Sequence, residues 1–156
     1  MSAAGRNPPV SDTANREIAT MRVLPASRER VFEAFRDPDQ LEQWWGPKDF
    51  TCTFHEFDLR PGGKWRLVLH GPDGTDYQNE KEFVEVVRPE RVVFRHLDRT
   101  HGFLMTIAFA ETAAGTRIIW RLLFDSADEC ARIRDIVTEA NEQNLDRLAA
   151  HLATFH

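Results

Sequence analysis

Hydrophobic and polar residues alternate through most of the middle of the chain, and a period of two is typical of β-strands with one buried face. Trp65, Leu67 and Leu69, for example, fall on one face of a single segment. Turn sequences separate the segments, as at residues 71–74, where Gly-Pro-Asp-Gly favours a β-turn. The alternation predicts strands over residues 16–24, 50–58, 64–70, 75–87, 91–97, 103–111 and 116–124.

A helical period replaces this alternation between the first and second strands. Ser27 is a favourable N-cap for a short helix that contains Val31 and Phe35. A second short helix is predicted to begin at residues 37–38, because aspartate caps a helix and proline suits its first turn. Residues 46–47, Gly-Pro, end it.

The last segment of the chain has the clearest helical pattern. Ser126 and Glu129 have the spacing of a capping box, and apolar residues recur every three or four positions from Ile133 to Leu152. This pattern predicts a helix over about residues 127–153. A helix of that length needs packing along its apolar stripe, because its ends alone cannot stabilise it.

These elements together predict an α+β fold. Consecutive strands joined by short turns pair mostly antiparallel, and the apolar face of such a sheet needs a cover. The long C-terminal helix is the cover of matching length. We therefore predict a curved antiparallel sheet of about seven strands wrapped around that helix, a helix-grip arrangement. The two short helices after the first strand would close the remaining gap and leave an internal cavity.

Composition narrows the function classes. The net charge is −5 at pH 7 and the sequence has no basic stripe, so we expect no nucleic-acid partner. No apolar run approaches the roughly 20 residues of a membrane helix, and we expect no membrane insertion. Residues 1–15 are predicted to be a disordered leader and 16–156 a single domain. Cys52 and Cys130 are expected to be buried, reduced thiols in a cytoplasmic protein.

The sequence contains few motifs that are typical of catalysis or of metal or cofactor binding. The histidines and cysteines lack the spacing of a metal site, and the serines do not lie in a nucleophile elbow. Residues 62–63, Gly-Gly, lead into a strand rather than a helix, so they do not predict a phosphate site. We therefore predict no cofactor, no metal and no catalytic residue.

Several motifs resemble those of one protein superfamily. Residues 31–35 (Val-Phe-Glu-Ala-Phe), 44–47 (Trp-Trp-Gly-Pro) and 57–65 (Phe-Asp-Leu-Arg-Pro-Gly-Gly-Lys-Trp) are similar to the START-like SRPBCC proteins, a group like the birch pollen allergen. They most resemble the branch named after the homologue of the activator of the heat-shock-protein-90 ATPase. The resemblance extends from about residue 16 to the C-terminus. It implies a helix-grip fold with a cavity and no particular reaction, because its members include lipid carriers, hormone receptors and cyclase domains.

Strand phase and proximity to the short helices select the residues expected to line the cavity. Asn144 lies on the apolar stripe of the last helix and Asn141 beside it. Each amide either bonds to a neighbouring segment or contacts a polar group of a ligand. The predicted lining is Trp45, Trp65, Leu67, Tyr77, Phe94, His96, Met105, Trp120, Asn141 and Asn144.

The preferred function is non-catalytic binding or carriage of a small hydrophobic or aromatic molecule. The alternative is an enzyme of the cyclase, hydrolase or dehydratase type, in which His96, Tyr77 or Lys81 acts as acid or base on a bound carbonyl. That alternative requires at least two of these groups near one point. A co-chaperone that activates a heat-shock chaperone ATPase is the third hypothesis, from the family name alone. A homodimer through an exposed strand or the polar helix face is also expected.

Overall fold

The computed structural model describes residues 15–98 and 102–154, so the predicted leader lies, except for Asn15, outside the described residues. Within them the chain forms seven strands and three helices. In order they are β1 (Glu17–Leu24), α1 (Arg28–Arg36), α2 (Pro38–Trp44), β2 (Thr51–Phe57), β3 (Lys64–His70), β4 (Asp76–Val87), β5 (Arg91–His96), β6 (Phe103–Thr112), β7 (Gly115–Phe124) and α3 (Ala127–Thr154).

The seven strands form one sheet in the order β1-β7-β6-β5-β4-β3-β2, and every neighbouring pair is antiparallel. Strands β2 to β7 thus follow one another as a meander, and β1 pairs with β7 at the far edge. The sheet is curved and open. With α3 against its concave face and α1 and α2 after the first strand, it confirms the predicted α+β helix-grip fold.

Local capping explains where the short helices begin. The Ser27 hydroxyl accepts a hydrogen bond from the Arg30 amide at 3.2 Å. The Asp37 carboxylate accepts one from the Asp39 amide at 3.0 Å, and Pro38 occupies the first turn of α2. Both predicted caps are confirmed. Each cap satisfies one of the amides that the first helical turn leaves unpaired.

The inner face of the sheet is packed with aromatic side chains. Trp65 is fully buried and lies parallel to Phe83, with ring centroids 6.0 Å apart and 4° between the planes. Phe35 of α1 meets Trp65 edge-on at 5.9 Å. Aromatic pairs of this kind add to the free energy gained by burial alone. The cluster therefore fixes α1 and α2 on the sheet and sets one end of the concave space.

Helix α3 fixes the backbone that follows α2. The Arg147 guanidinium lies beside this segment and donates hydrogen bonds of 3.0–3.2 Å to the carbonyl oxygens of Gln43, Trp45, Gly46 and Pro47. The last carbonyls of a helix have no partner within it, so they need external donors. A single side chain of α3 supplies several of those donors.

Asn144 holds the same segment from within the protein. Its Nδ2 donates to the Trp44 carbonyl oxygen at 2.8 Å, and its Oδ1 accepts from the Gly46 amide at 3.2 Å. Asn144 is 6% exposed. The amide is therefore a structural link between α3 and the end of α2, the first of the two roles that its sequence position allowed.

The turn between β2 and β3 closes onto β4. The Phe83 carbonyl oxygen accepts from the Gly62 amide at 2.8 Å, and the Phe83 amide donates to the Gly63 carbonyl oxygen at 2.9 Å. A Cβ atom added at Gly63 would lie 2.0 Å from the Asp58 carbonyl oxygen. At Gly62 the added atom would meet nothing within 4 Å, although its φ of +84° favours glycine.

The first prediction uses this pair of glycines. Gly62→Ala should lower the free energy of unfolding by about 1–2 kcal/mol, the cost of a left-handed alanine. Gly63→Ala should lower it by more, because its Cβ would collide with backbone. Urea denaturation of both variants measures the difference. Equal losses would show that the close approach at Gly63 does not constrain the turn.

The second prediction concerns the two buried amides of α3. Asn144→Leu should lower the free energy of unfolding by about 2–4 kcal/mol, because two buried backbone groups lose their partner. Asn141→Leu is the matched control: its Nδ2 lies 3.5 Å from the Thr20 hydroxyl, and we expect a loss below about 1 kcal/mol. Guanidinium titrations of both variants test the ranking, and the reverse order would refute it.

Candidate functional site

A cavity of about 150 Å³ lies between the inner face of the sheet, the second half of α3 and the segment after α2. Its walls are mainly apolar. Six of the ten residues predicted from the sequence lie around it: Trp45, Phe94, Met105, Trp120, Asn141 and Asn144. The inner face of the sheet, the segment after α2 and the long helix thus meet at one cavity, as the helix-grip arrangement predicts.

Trp45 and Trp120 form one aromatic wall of the cavity. Their ring centroids are 5.4 Å apart and the planes are tilted by 30°. Trp45 is 7% exposed and Trp120 is 2% exposed. Trp45 follows the last residue of α2 and acts as its C-cap, so the hydrogen bonds from α3 to this segment also position its ring. Trp45 therefore both packs in the core and lines the cavity.

Two other predicted residues, Trp65 and Leu67, lie away from the cavity. Both are buried in the core, with exposures of 0% and 1%. The Trp65 ring lies behind Trp45, at 4.8 Å between centroids, and therefore supports the wall rather than forming it. On the same face of β3 it is Leu69 that lines the cavity. Alternation along β3 thus identified the correct face of the strand, but not which residue on that face lines the cavity.

Tyr77 and His96 also lie outside the lining. Tyr77 is 46% exposed near the start of β4, where its ring packs on Phe50 at 6.1 Å. His96 ends β5 half-buried, and its ring stacks on Phe103 at 4.8 Å. Each is paired with a lining residue on an adjacent strand, Tyr77 with Leu69 and His96 with Phe103, but neither lines the cavity itself. Phe103, which was not in the predicted set, lines the cavity in their place.

The most unusual member of the site is Lys81, which lines the cavity but was predicted only as a candidate acid or base. It is 3% exposed. Its Nζ donates to Asn79 Oδ1 at 3.0 Å, and Asn79 also lines the cavity. The signal in the sequence was the phase of β4, in which residues 79 and 81 share a face with Phe83.

Three aromatic rings surround the Lys81 ammonium. Its Nζ lies 5.1 Å from the ring centroid of Trp65, 5.8 Å from that of Phe94 and 5.9 Å from that of Trp45. Aromatic faces at this distance stabilise a cation only in part. Burial lowers the pKa of Lys81 from 10.5 to about 7. The site therefore contains an amine that changes charge near neutral pH within apolar walls.

Cys52 is the titratable group that interacts electrostatically with Lys81. Its thiol is buried, and the sulfur lies 3.4 Å from the Glu42 carbonyl oxygen. Burial raises the pKa of Cys52 to about 11, so the thiol stays protonated at neutral pH. Both Cys52 and Cys130 are free and buried, as predicted. A protonated thiol neither neutralises Lys81 nor acts as a nucleophile.

Residues 15–98 and 102–154 contain no group of three His, Cys, Asp or Glu side chains placed to hold a metal ion. In the same residues, no helix is both long enough and apolar enough to cross a membrane. Among the described residues, the polar side chains that line the site are therefore one amine and several amides, and the other walls are mainly apolar.

Solved structures of similar fold come from several bacteria. A protein from Mycobacterium smegmatis is 27% identical, with a TM-score of 0.82 over 92% of this chain and 95% of that one. One from Chromobacterium violaceum is 27% identical, with a TM-score of 0.76 over 86% and 95%. The AHSA1 protein of Silicibacter pomeroyi, at 23% identity, has a TM-score of 0.74 over 90% and 99%, and shows the fold alone.

The family assignment rests on the sequence as well as the fold. No curated protein matches the chain at a significant level. Residues 25–153 match the family described as Activator of Hsp90 ATPase homolog 1-like protein. The match contains α1, α2, six of the seven strands and nearly all of α3. It confirms the resemblance seen in the sequence motifs: the chain belongs to the family of Activator of Hsp90 ATPase homolog 1-like proteins.

Proposed function

We propose that this protein binds a small hydrophobic or aromatic molecule in the cavity between α3 and the sheet. The main support is the cavity itself, about 150 Å³ with mainly apolar walls that belong in part to the buried core. An engineered apolar cavity of about 150 Å³ in another protein binds benzene. The volume favours a ligand with a single ring or a short branched chain.

Lys81 gives independent support for a binding role. A buried amine without a counter-ion lowers the stability of a fold, and an apolar side chain of similar size would remove that cost. Residues that reduce stability are expected where function requires them. Lys81 and Asn79 are thus the polar groups suited to orient a ligand within the apolar walls.

Catalysis is less well supported by the geometry. Acid–base chemistry on a bound carbonyl needs two or more titratable groups near one point. Of Tyr77, Lys81 and His96, only Lys81 lines the cavity in the part of the chain that the structure describes. We therefore propose binding without catalysis. Co-chaperone activity, which the family name suggests, and a homodimer both stay predictions, since no contact described above favours either.

Filling the cavity tests the proposal. Ala140 lines the cavity from α3, and Ala140→Met should occupy part of the space. Saturating toluene should raise the Tm of the wild type by at least about 2 °C and leave that of Ala140→Met unchanged. Scanning fluorimetry measures the shift, and native mass spectrometry detects the bound probe.

Ala131→Met provides the control for this experiment. Ala131 lies on the same helix with its side chain exposed, so its variant should keep the full response to toluene. If the wild type itself shows neither a thermal shift nor a bound toluene, the cavity does not accept apolar ligands and the proposed function is wrong.

Removing the buried amine should change the pH dependence of stability. Between pH 7 and 9 the unfolded chain protonates Lys81 and the folded chain does not, so the free energy of unfolding rises with pH. The rise attributable to Lys81 is about 2 kcal/mol. Above pH 9 the raised pKa of Cys52 acts in the opposite direction. Lys81→Met should be more stable than the wild type at pH 7 and lack this rise.

Urea denaturation at several pH values measures the effect. Lys48→Met is the matched control, because Lys48 is exposed, and it should retain the wild-type profile. Parallel profiles for the wild type and Lys81→Met between pH 7 and 9 would contradict the prediction.

A further inference from the structure

The polar end of the cavity contains a positive group without a negative partner. Lys81 forms no ion pair with a carboxylate among the described residues, and its one hydrogen bond goes to the neutral amide of Asn79. By contrast, Lys64 on the neighbouring strand contacts both Glu80 and Glu82 on the outer face. The acidic residues of β4 are thus directed away from the cavity.

None of the described residues that line the cavity is acidic, and the Glu42 carboxylate of α2 accepts a hydrogen bond from the Phe54 amide instead. From β2, Cys52 presents a protonated thiol, and from β5 the residue opposite Lys81 is His96. From α3, Arg147 is positive and already bound to the carbonyl oxygens after α2. An ammonium here is therefore compensated by rings and one amide oxygen.

We propose that the ligand of this cavity is a small apolar monocarboxylic acid, whose carboxylate pairs with Lys81 while its ring or chain lies against Trp45 and Trp120. This inference rests on the proposed function and specifies the class of ligand. A carboxylate supplies both the missing negative charge and two acceptors, and charge-assisted hydrogen bonds are about twice as strong as neutral ones. The apolar walls suit the remainder of such a molecule.

The volume of the cavity limits the size of the acid that can bind. About 150 Å³ accommodates a single aromatic ring with a short acidic substituent and excludes a long acyl chain lying wholly inside. Asn79 lies 3.0 Å from the Lys81 Nζ, so it can orient the amine toward one end of the ligand. The site thus distinguishes an acid from a neutral or positive molecule of the same shape.

Pairing with a carboxylate also requires the charged amine. Because burial lowers the pKa of Lys81 to about 7, the empty site is partly neutral at physiological pH. An anion bound beside the amine raises that pKa, so binding takes up a proton when the pH is above about 7. Affinity for an acid should therefore fall as the pH rises, whereas affinity for a neutral molecule should not.

The experiment compares benzoate, benzyl alcohol and benzylammonium by isothermal titration calorimetry. For the wild type near pH 6, benzoate should bind at least about tenfold tighter than benzyl alcohol, and benzylammonium should bind more weakly than both. Near pH 9 most of the preference for benzoate should be lost. Lys81→Met should lose the preference at both pH values while binding toluene at least as tightly as the wild type.

Each unexpected result of this experiment would refute a different claim. If toluene binds the wild type but benzoate shows no preference over benzyl alcohol, the acid class is wrong and the proposed function stands. If Lys81→Met keeps the preference for benzoate, another cation binds it and the inference about Lys81 is refuted. If toluene does not bind the wild type, the proposed function itself is refuted, whatever the result for benzoate. Retained binding of toluene by Lys81→Met shows that this variant folds.

Discussion

The link between α3 and the end of α2 is the constraint on which the cavity depends. The backbone after Trp44 leaves its helix without joining a strand, so its carbonyl groups need donors from elsewhere. Arg147 and Asn144, three residues apart on one helix, supply them. Because Trp45 lies in this segment, the same hydrogen bonds that satisfy the backbone also hold the aromatic wall. One set of hydrogen bonds therefore both satisfies the backbone groups at the end of α2 and fixes this segment against α3.

Lys81 is a polar side chain in an apolar environment, and its burial lowers the stability of the fold. The aromatic rings around it exclude water, which makes the charged form costly and also makes any partner charge strongly felt. An exposed lysine would bind an acid weakly, since water screens such pairs. Burial against Trp65 and Phe94 thus reduces stability, and by the same physical effect it strengthens the pairing with the acid that we propose.

Secondary structure was predictable because its causes are local. The Ser27 and Asp37 caps and the period-two segments lie within a few residues of the elements they specify, and each was found as expected. The cavity was only partly predictable. Alternation correctly placed residues on the inner face, but Tyr77 shares that face with Lys81 and is nevertheless exposed. How deeply a side chain is buried depends on the curvature of the sheet and on where α3 covers the strand. The hydrophobic pattern of a single strand determines neither.

The four tryptophans of the chain are all buried and form one connected group. Trp45 lies 5.8 Å from Trp44, 4.8 Å from Trp65 and 5.4 Å from Trp120, measured between ring centroids. At such separations excitation energy passes readily from one indole to another, so the group emits as a unit. Since two of its members border the cavity, we expect the intrinsic fluorescence of this protein to change when that space is filled, without any added label.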